Sequence, residues 1–143
     1  MKRIFYPIMA CLMSLSCQGQ KAKSVDGKSV ADFSSVSVEE FAEVMADTSV
    51  VVLDVRTLEE HVAGHIQGTT LHIDVLKSDF DSLAVANINK ECTVALYCRS
   101  GNRSKRAASA LASKGYRVIE LATGYNGWVQ AGKAGRVVAY CVV

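Results

Sequence analysis

Proline is almost missing from this chain. The one copy, Pro7, lies in an apolar leading stretch, so nothing after it reads as a proline-rich linker. An excess of charge of one sign is missing too. Once Lys2 and Arg3 of the leading stretch are set aside, the sixteen basic residues fall to fourteen, against fourteen acidic ones. A domain without a basic excess does not call for a nucleic-acid partner. No internal repeat is visible, and no second half copies the first. The chain of 143 residues, half of them hydrophobic, therefore reads as one domain with a real core, not as a disordered segment. Its three histidines, His61, His65 and His72, come without a patterned cysteine or acidic pair, so no metal or other cofactor is expected.

What is present begins with a leader. Lys2 and Arg3 make a positive start, Ile4 to Leu15 an apolar run, and small residues precede Cys17, the pattern of a secretory signal too short to span a membrane. Ser14-Leu15-Ser16-Cys17 resembles a loose bacterial lipoprotein box, with its Leu one position nearer the Cys than usual. Ile8-Met9-Ala10-Cys11 fits the box better but leaves a very short apolar run. The expectation is a signal over residues 1–17 with lipidation at Cys17, the alternative being cleavage to a soluble secreted protein. Lipidation at Cys17 would place the protein in the bacterial envelope, on the periplasmic side, touching the membrane through a lipid anchor only. Residues 18–32 are polar and read as a flexible tether.

The organising stretch is Thr93 to Ser104. Thr93-Val94-Ala95-Leu96-Tyr97 reads as a buried strand, a polar loop with Gly101 follows, and the Ala- and Leu-rich run from Lys105 to Lys114 reads as a helix ending at Gly115. Cys98 then sits at a strand end, on a loop feeding a helix N-terminus, where α/β sheets place ligands. Inward-turned backbone N–H groups and the helix dipole both favour the thiolate, the reactive form. Gly101 can take the positive φ such a concave loop needs. Between Glu91 and Glu120 lie six cations (Arg99, Arg103, Lys105, Arg106, Lys114, Arg117) and no carboxylate. Alone, a cysteine at a strand end reads as an inert thiol and a basic run as a solvated helix face. Together on one turn they point to a site for an anion.

Tyr97-Cys98-Arg99-Ser100-Gly101-Asn102-Arg103-Ser104 resembles the active loop of single-domain rhodaneses, the thiosulfate sulfurtransferases. The resemblance implies that Cys98 is the nucleophile and carries sulfur as a persulfide. It implies that Arg99, Ser100, Gly101, Asn102, Arg103 and Ser104 form the cradle, and that the basic loop takes thiosulfate, not mercaptopyruvate. A thiol or protein would accept the sulfur in the cell. Asp54 and Arg56 match the family's Asp-x-Arg, and Glu60 to Gly68 resembles its second signature, with Thr69 and Thr70 departing from the usual residues. Ala122 to Trp128 resembles the family's Gly-rich turn before the last helix, with Thr123 where a Gly is common. Read without the family, Asp54, Arg56 and Glu60 form a buried or half-buried polar network. His65 is either a proton donor or a hydrogen-bonded scaffold residue.

The domain should span residues 33–135. A short strand is expected at 33–36, then a helix with a Ser37/Glu40 capping box and an apolar face of Val38, Phe41, Val44 and Met45. Val50 to Leu53 should be a central parallel strand, and Thr57 with Glu60 should cap a short helix. A strand at Leu71–Ile73, a helix over Leu76–Ile88 and a strand at Val118–Leu121 complete the pattern, with Trp128 as a core anchor. Residues 136–143 form a β-prone tail without an assigned role. These lengths argue for an α/β, rhodanese-like three-layer sandwich, with a mostly parallel five-stranded sheet and helices on both faces.

Two rival functions use the same cysteine. Cell-cycle phosphatases of related fold place five residues between Cys and Arg, whereas four separate Cys98 from Arg103. A persulfide carrier or redox-interaction module of the envelope is the non-enzymatic alternative. Cys92 and Cys98 bracket a strand, which holds them over ~15 Å apart, against at most about 7 Å between bridged Cα atoms. Cys92 is therefore expected to be a buried packing thiol, not a resolving partner. Cys141 lies on the tail, where a link to either thiol is not expected.

Overall fold

The computed structural model describes residues 32–136. The expected signal, the Cys17 anchor, the tether apart from its last residue, and Cys141 all lie outside the described residues.

Five strands make one parallel sheet: β1 (Ser34–Val36), β2 (Val51–Asp54), β4 (Leu71–His72), β5 (Thr93–Tyr97) and β6 (Arg117–Leu121), in the order β1-β6-β5-β2-β4. β5 is central, and Val94 to Tyr97 have no exposed surface, as expected of a strand covered on both faces. Two further segments, β3 (His65–Ile66) and β7 (Gly135–Arg136), pair antiparallel. The residue following the expected domain end thus belongs to a strand, while residues 137–143 lie outside the described part.

Helices α1 (Val38–Met45) and α5 (Gly124–Gln130) cover one face of the sheet. Phe41 stands edge-on between Tyr97 and Trp128, at 6.4 and 6.3 Å between ring centres. Trp128 is buried as expected, its indole N–H donating to Ala134 O at 3.0 Å. On the other face, α3 (Phe80–Asn87) and α4 (Asn102–Ser113) pack Phe80, Ala84, Ile88, Ala107, Ala108 and Leu111 on Leu53, Val94 and Leu96. The short α2 (Leu58–Ala63) buries none of its residues. Both expected capping boxes are formed, Ser37 with Glu40 and Thr57 with Glu60.

The strand bounds fall within one residue of those expected, whereas three helix starts shift further. The helix foreseen over Leu76–Ile88 is only α3, because Asp74 Oδ1 accepts from Leu76 N–H and ties the preceding residues into a turn. Leu76, Leu83 and Val85 are accordingly exposed, and the buried stripe is Phe80, Ala84 and Ile88. α4 starts at Asn102, three residues before Lys105, because Gly101 closes the loop within a single residue. α5 starts inside the Gly-rich segment, so Trp128 lies on the helix and not in a turn before it.

Candidate active site

The site is assembled at the C-terminal ends of β2, β5 and β6. β5 delivers Cys98, whose side chain retains 1% of its exposure. Gly101 N–H donates to Cys98 Sγ at 3.1 Å, and Ser104 Oγ lies 3.4 Å away. Burial pushes the thiol up. The Ser104 hydroxyl and the backbone N–H groups of Ser104, Ser100 and Gly101 outweigh it, and the net shift is downward.

Gly101 takes φ +98°, as the loop composition foretold, and a Cβ there would lie 2.2 Å from Ala122 O. Asn102, Arg103 and Ser104, expected in the cradle, form the first turn of α4. That is why the Ser104 N–H reaches the sulfur: the first N–H groups of a helix have no partner within it. Arg99, Ser100 and Asn102 are exposed, Arg103 is half-buried and Ser104 fully buried.

Asp54 and Arg56 pair at 2.8 Å, and the Arg56 guanidinium also donates to Gly64 O at 2.6 Å. Burial drives the Asp54 carboxyl up, but its bonds to Arg56 and His61 bring it below its ordinary value. Tyr97 Oη donates to Asp54 Oδ2 at 3.1 Å, accepts from Ile66 N–H at 3.1 Å and meets Thr69 Oγ1 at 2.9 Å. Glu60, expected in this group, bonds elsewhere. Its carboxylate takes two hydrogen bonds from Arg103, at 2.7 and 2.8 Å, which hold it at about pKa 2. The foreseen polar network is thus two: one bracing the sheet end, the other tying α2 to α4.

His65 Nδ1 lies 3.1 Å from His61 O, and His65 is not among the hydrogen-bond partners of the Cys98 sulfur. The His61 ring stacks on those of His65 and His72, at 4.2 and 4.5 Å between centres, and His61 Nδ1 lies 2.9 Å from Asp54 Oδ2. Burial, with the two neighbouring imidazoles, keeps His61 below its ordinary pKa despite Asp54. Among the described residues, no group of three or more His, Cys, Asp or Glu side chains is placed to hold a metal ion.

Cys92 is half-buried just before β5, less covered than expected, and both it and Cys98 are free thiols. Three features went unnoticed in the sequence. Gly124 takes φ +61° beneath the loop, where a Cβ would meet Arg99 O at 2.6 Å and Cys98 O at 2.7 Å. Tyr125 lays its ring 4.3 Å from the Arg56 guanidinium carbon, and the two join Glu60, Arg99 and Asn126 around a cleft of about 240 Å³. Glu120, fully buried, receives Ser35 Oγ at 2.9 Å and Lys105 Nζ at 2.8 Å on Oε1, and Ser104 Oγ at 3.3 Å on Oε2. A carboxylate within the apolar run of β6 was the available signal for it.

The site therefore offers a buried thiol, N–H donors aimed at its sulfur, and cations on the surrounding surface, an arrangement suited to a sulfur nucleophile meeting an anion. The chain is 32% identical over 99 residues to a sulfurtransferase of Allochromatium vinosum, covering 68% of this chain and 89% of that protein. It is 30% identical over 100 residues to the thiosulfate sulfurtransferase GlpE of Tolumonas auensis, covering 69% and 91%. A rhodanese-related protein of Thermoplasma volcanium shares the fold with a TM-score of 0.64 at 23% identity, covering 73% of this chain and 99% of that one. The Rhodanese-like domain profile matches residues 37–131, the span that carries both polar networks and the Cys98 loop, and the chain belongs to the rhodanese-like family.

Proposed function

We propose that the protein transfers sulfane sulfur from thiosulfate, or a similar small anion, to a thiophilic acceptor through a persulfide on Cys98. The observation that carries this reading is the Gly101 N–H bond to Cys98 Sγ within a loop whose donors all favour negative charge on that sulfur. The thiolate attacks the outer sulfur of thiosulfate. An S–S bond forms as the thiosulfate S–S bond breaks, and sulfite leaves with the electron pair. The acceptor, cyanide in a test tube or a thiol or protein in the cell, then attacks the outer sulfur and returns Cys98 as thiolate. Splitting the transfer in two lets one nucleophile serve both halves, and a preformed thiolate needs no general base.

The near-complete burial of Cys98 supports a small donor. In the loaded form the transferable sulfur stands one S–S bond, about 2.05 Å, farther out. Arg99, exposed beside the sulfur, would meet the incoming anion, while Arg103 is engaged by Glu60. Asp54, Arg56 and His65 act as scaffold in this reading.

The proposal includes the envelope location and the Cys17 anchor, which rest on the leader pattern alone; Cys17→Ala should leave the membrane fraction of a bacterial host. Turnover of thiosulfate and cyanide tests the chemistry. The native chain should turn over, and Cys98→Ser should not, while keeping its circular dichroism. Turnover by the Ser variant would refute the assignment. Stoichiometric loading without turnover would instead favour the carrier.

A further inference from the structure

Glu120 is a charged residue inside a buried strand, and the transfer chemistry makes no use of it. Its Oε1 is engaged by Ser35 and Lys105, and Lys105 Nζ also reaches Gly101 O at 3.3 Å in the loop itself. Its Oε2 accepts from Ser104 Oγ at 3.3 Å, and that same oxygen stands 3.4 Å from Cys98 Sγ. We propose that Glu120 is a positioning residue that sets the charge state of Cys98 by competing with its sulfur for the one proton of the Ser104 hydroxyl. This deepens the reading of Cys98 as the reacting thiol.

A hydroxyl has one proton to donate and two lone pairs. In the thiol form the chain is complete: Cys98 S–H donates to Ser104 Oγ, which donates to Glu120 Oε2. Once the thiol loses its proton to solvent, the sulfur can only accept. Ser104 must then turn its proton to the sulfur and leave the buried carboxylate oxygen short of a donor, or keep its bond to Glu120 and leave the thiolate to the backbone N–H groups. Either choice costs the thiolate, because a buried polar atom without its partner is expensive. The persulfide escapes the conflict: its inner sulfur has two covalent bonds and no proton, so Ser104 can stay with Glu120. Glu120 thus restrains the unloaded thiolate and leaves the loaded form untouched.

Other charges face the loop. α4 brings Arg103, whose charge acts on Cys98, and Lys105; the loop brings Arg99; β2 brings the Asp54–Arg56 pair; α2 brings Glu60, bound to Arg103; and α5 brings Tyr125. None of these groups is shared by hydrogen bonds between the sulfur and a carboxylate; among the described residues it is Ser104 that bridges the two.

Glu120→Gln separates the pieces. The Gln carbonyl can keep Ser35 and Lys105, while its amide donates to Ser104 Oγ and frees the hydroxyl proton for sulfur. The readout is the pH dependence of Cys98 alkylation by iodoacetamide in the full chain, resolved by peptide mass spectrometry. Run on the unloaded protein, it reports the Cys98 thiolate whether or not the chain turns over thiosulfate, so this proposal and the transferase reading can fail separately. The midpoint should fall by about one pH unit in Glu120→Gln and rise in Ser104→Ala. With Ser104→Ala as background, Glu120→Gln should shift it less than half as far, since only through-space charge remains. A midpoint that stays or rises in folded Glu120→Gln overturns the proposal, as does an equal fall in both backgrounds. Should Glu120→Gln fail to fold, Lys105→Met, at a half-exposed position, runs the same cycle with the opposite sign. Its midpoint should rise, and rise less beside Ser104→Ala; equal rises overturn the proposal.

Discussion

Arg103 and Glu60 join α4 to α2 through two parallel hydrogen bonds of 2.7 and 2.8 Å, binding the helix that follows Cys98 to the helix that follows β2. A bidentate fork of this kind fixes direction as well as distance. It keeps Arg103 from acting as a free anion ligand and makes it a brace for the loop.

The brace has a pH signature. Glu60 is held at about 2 against an ordinary 4.5, chiefly by its side-chain bonds to Arg103. A depressed carboxylate adds stability that is present above its unfolded pKa and lost as pH falls through its folded one. Because the pair is half-buried and still partly screened by solvent, about 1 kcal/mol is expected. Glu60→Gln should therefore lose about that much at pH 6 and converge on the native chain as pH falls from about 4.5 toward 2. Urea unfolding across this range measures it, and parallel curves would contradict it.

The two glycines around the loop should be the least replaceable. Gly101→Ala puts a Cβ 2.2 Å from Ala122 O at φ +98°, and Gly124→Ala puts one 2.6 Å from Arg99 O at φ +61°. Each should cost at least about 2 kcal/mol and abolish turnover, since the clash is with backbone that cannot rotate away. Gly132→Ala, at φ +70° but with nothing within 4 Å, should cost only about 1 kcal/mol and spare activity. Equal losses at all three positions would contradict this view of the loop.

Arg99 is exposed and spends no side-chain hydrogen bond on the described protein surface. Removing it should weaken donor binding by ~1 kcal/mol, a screened charge contact, or about a five-fold rise in KM. An unchanged KM with a lost kcat would place Arg99 in the chemistry instead.

Cys92 precedes β5 and Cys98 follows it, so the strand holds the two thiols apart. Cys92→Ala should retain turnover and, at a half-buried position, cost less than about 1 kcal/mol. A Cys92–Cys98 disulfide in the unreduced native protein would contradict both the strand and the mechanism.

Local signals were legible in the sequence. The Ser37/Glu40 and Thr57/Glu60 boxes are four-residue patterns and formed where expected, and the apolar runs of β2, β5 and β6 became buried strands. Gly101 was legible because the loop's concavity demanded it. The start of α4 was not, since Asn102, Arg103 and Ser104 are polar residues equally at home in a loop or a first helical turn. The Glu60–Arg103 brace joins residues 43 positions apart, and the Ser104–Glu120 contact spans 16; no spacing rule reaches either. Leu76 and Val85 misled because apolar residues on an exposed surface look the same in sequence as those in a core.

Mass spectrometry of the purified protein after exposure to thiosulfate tests the central claim most directly. One added sulfur should appear on the peptide containing Cys98, leave on addition of cyanide, and be absent from Cys98→Ser. Sulfur on another cysteine, or none on Cys98, would contradict the account.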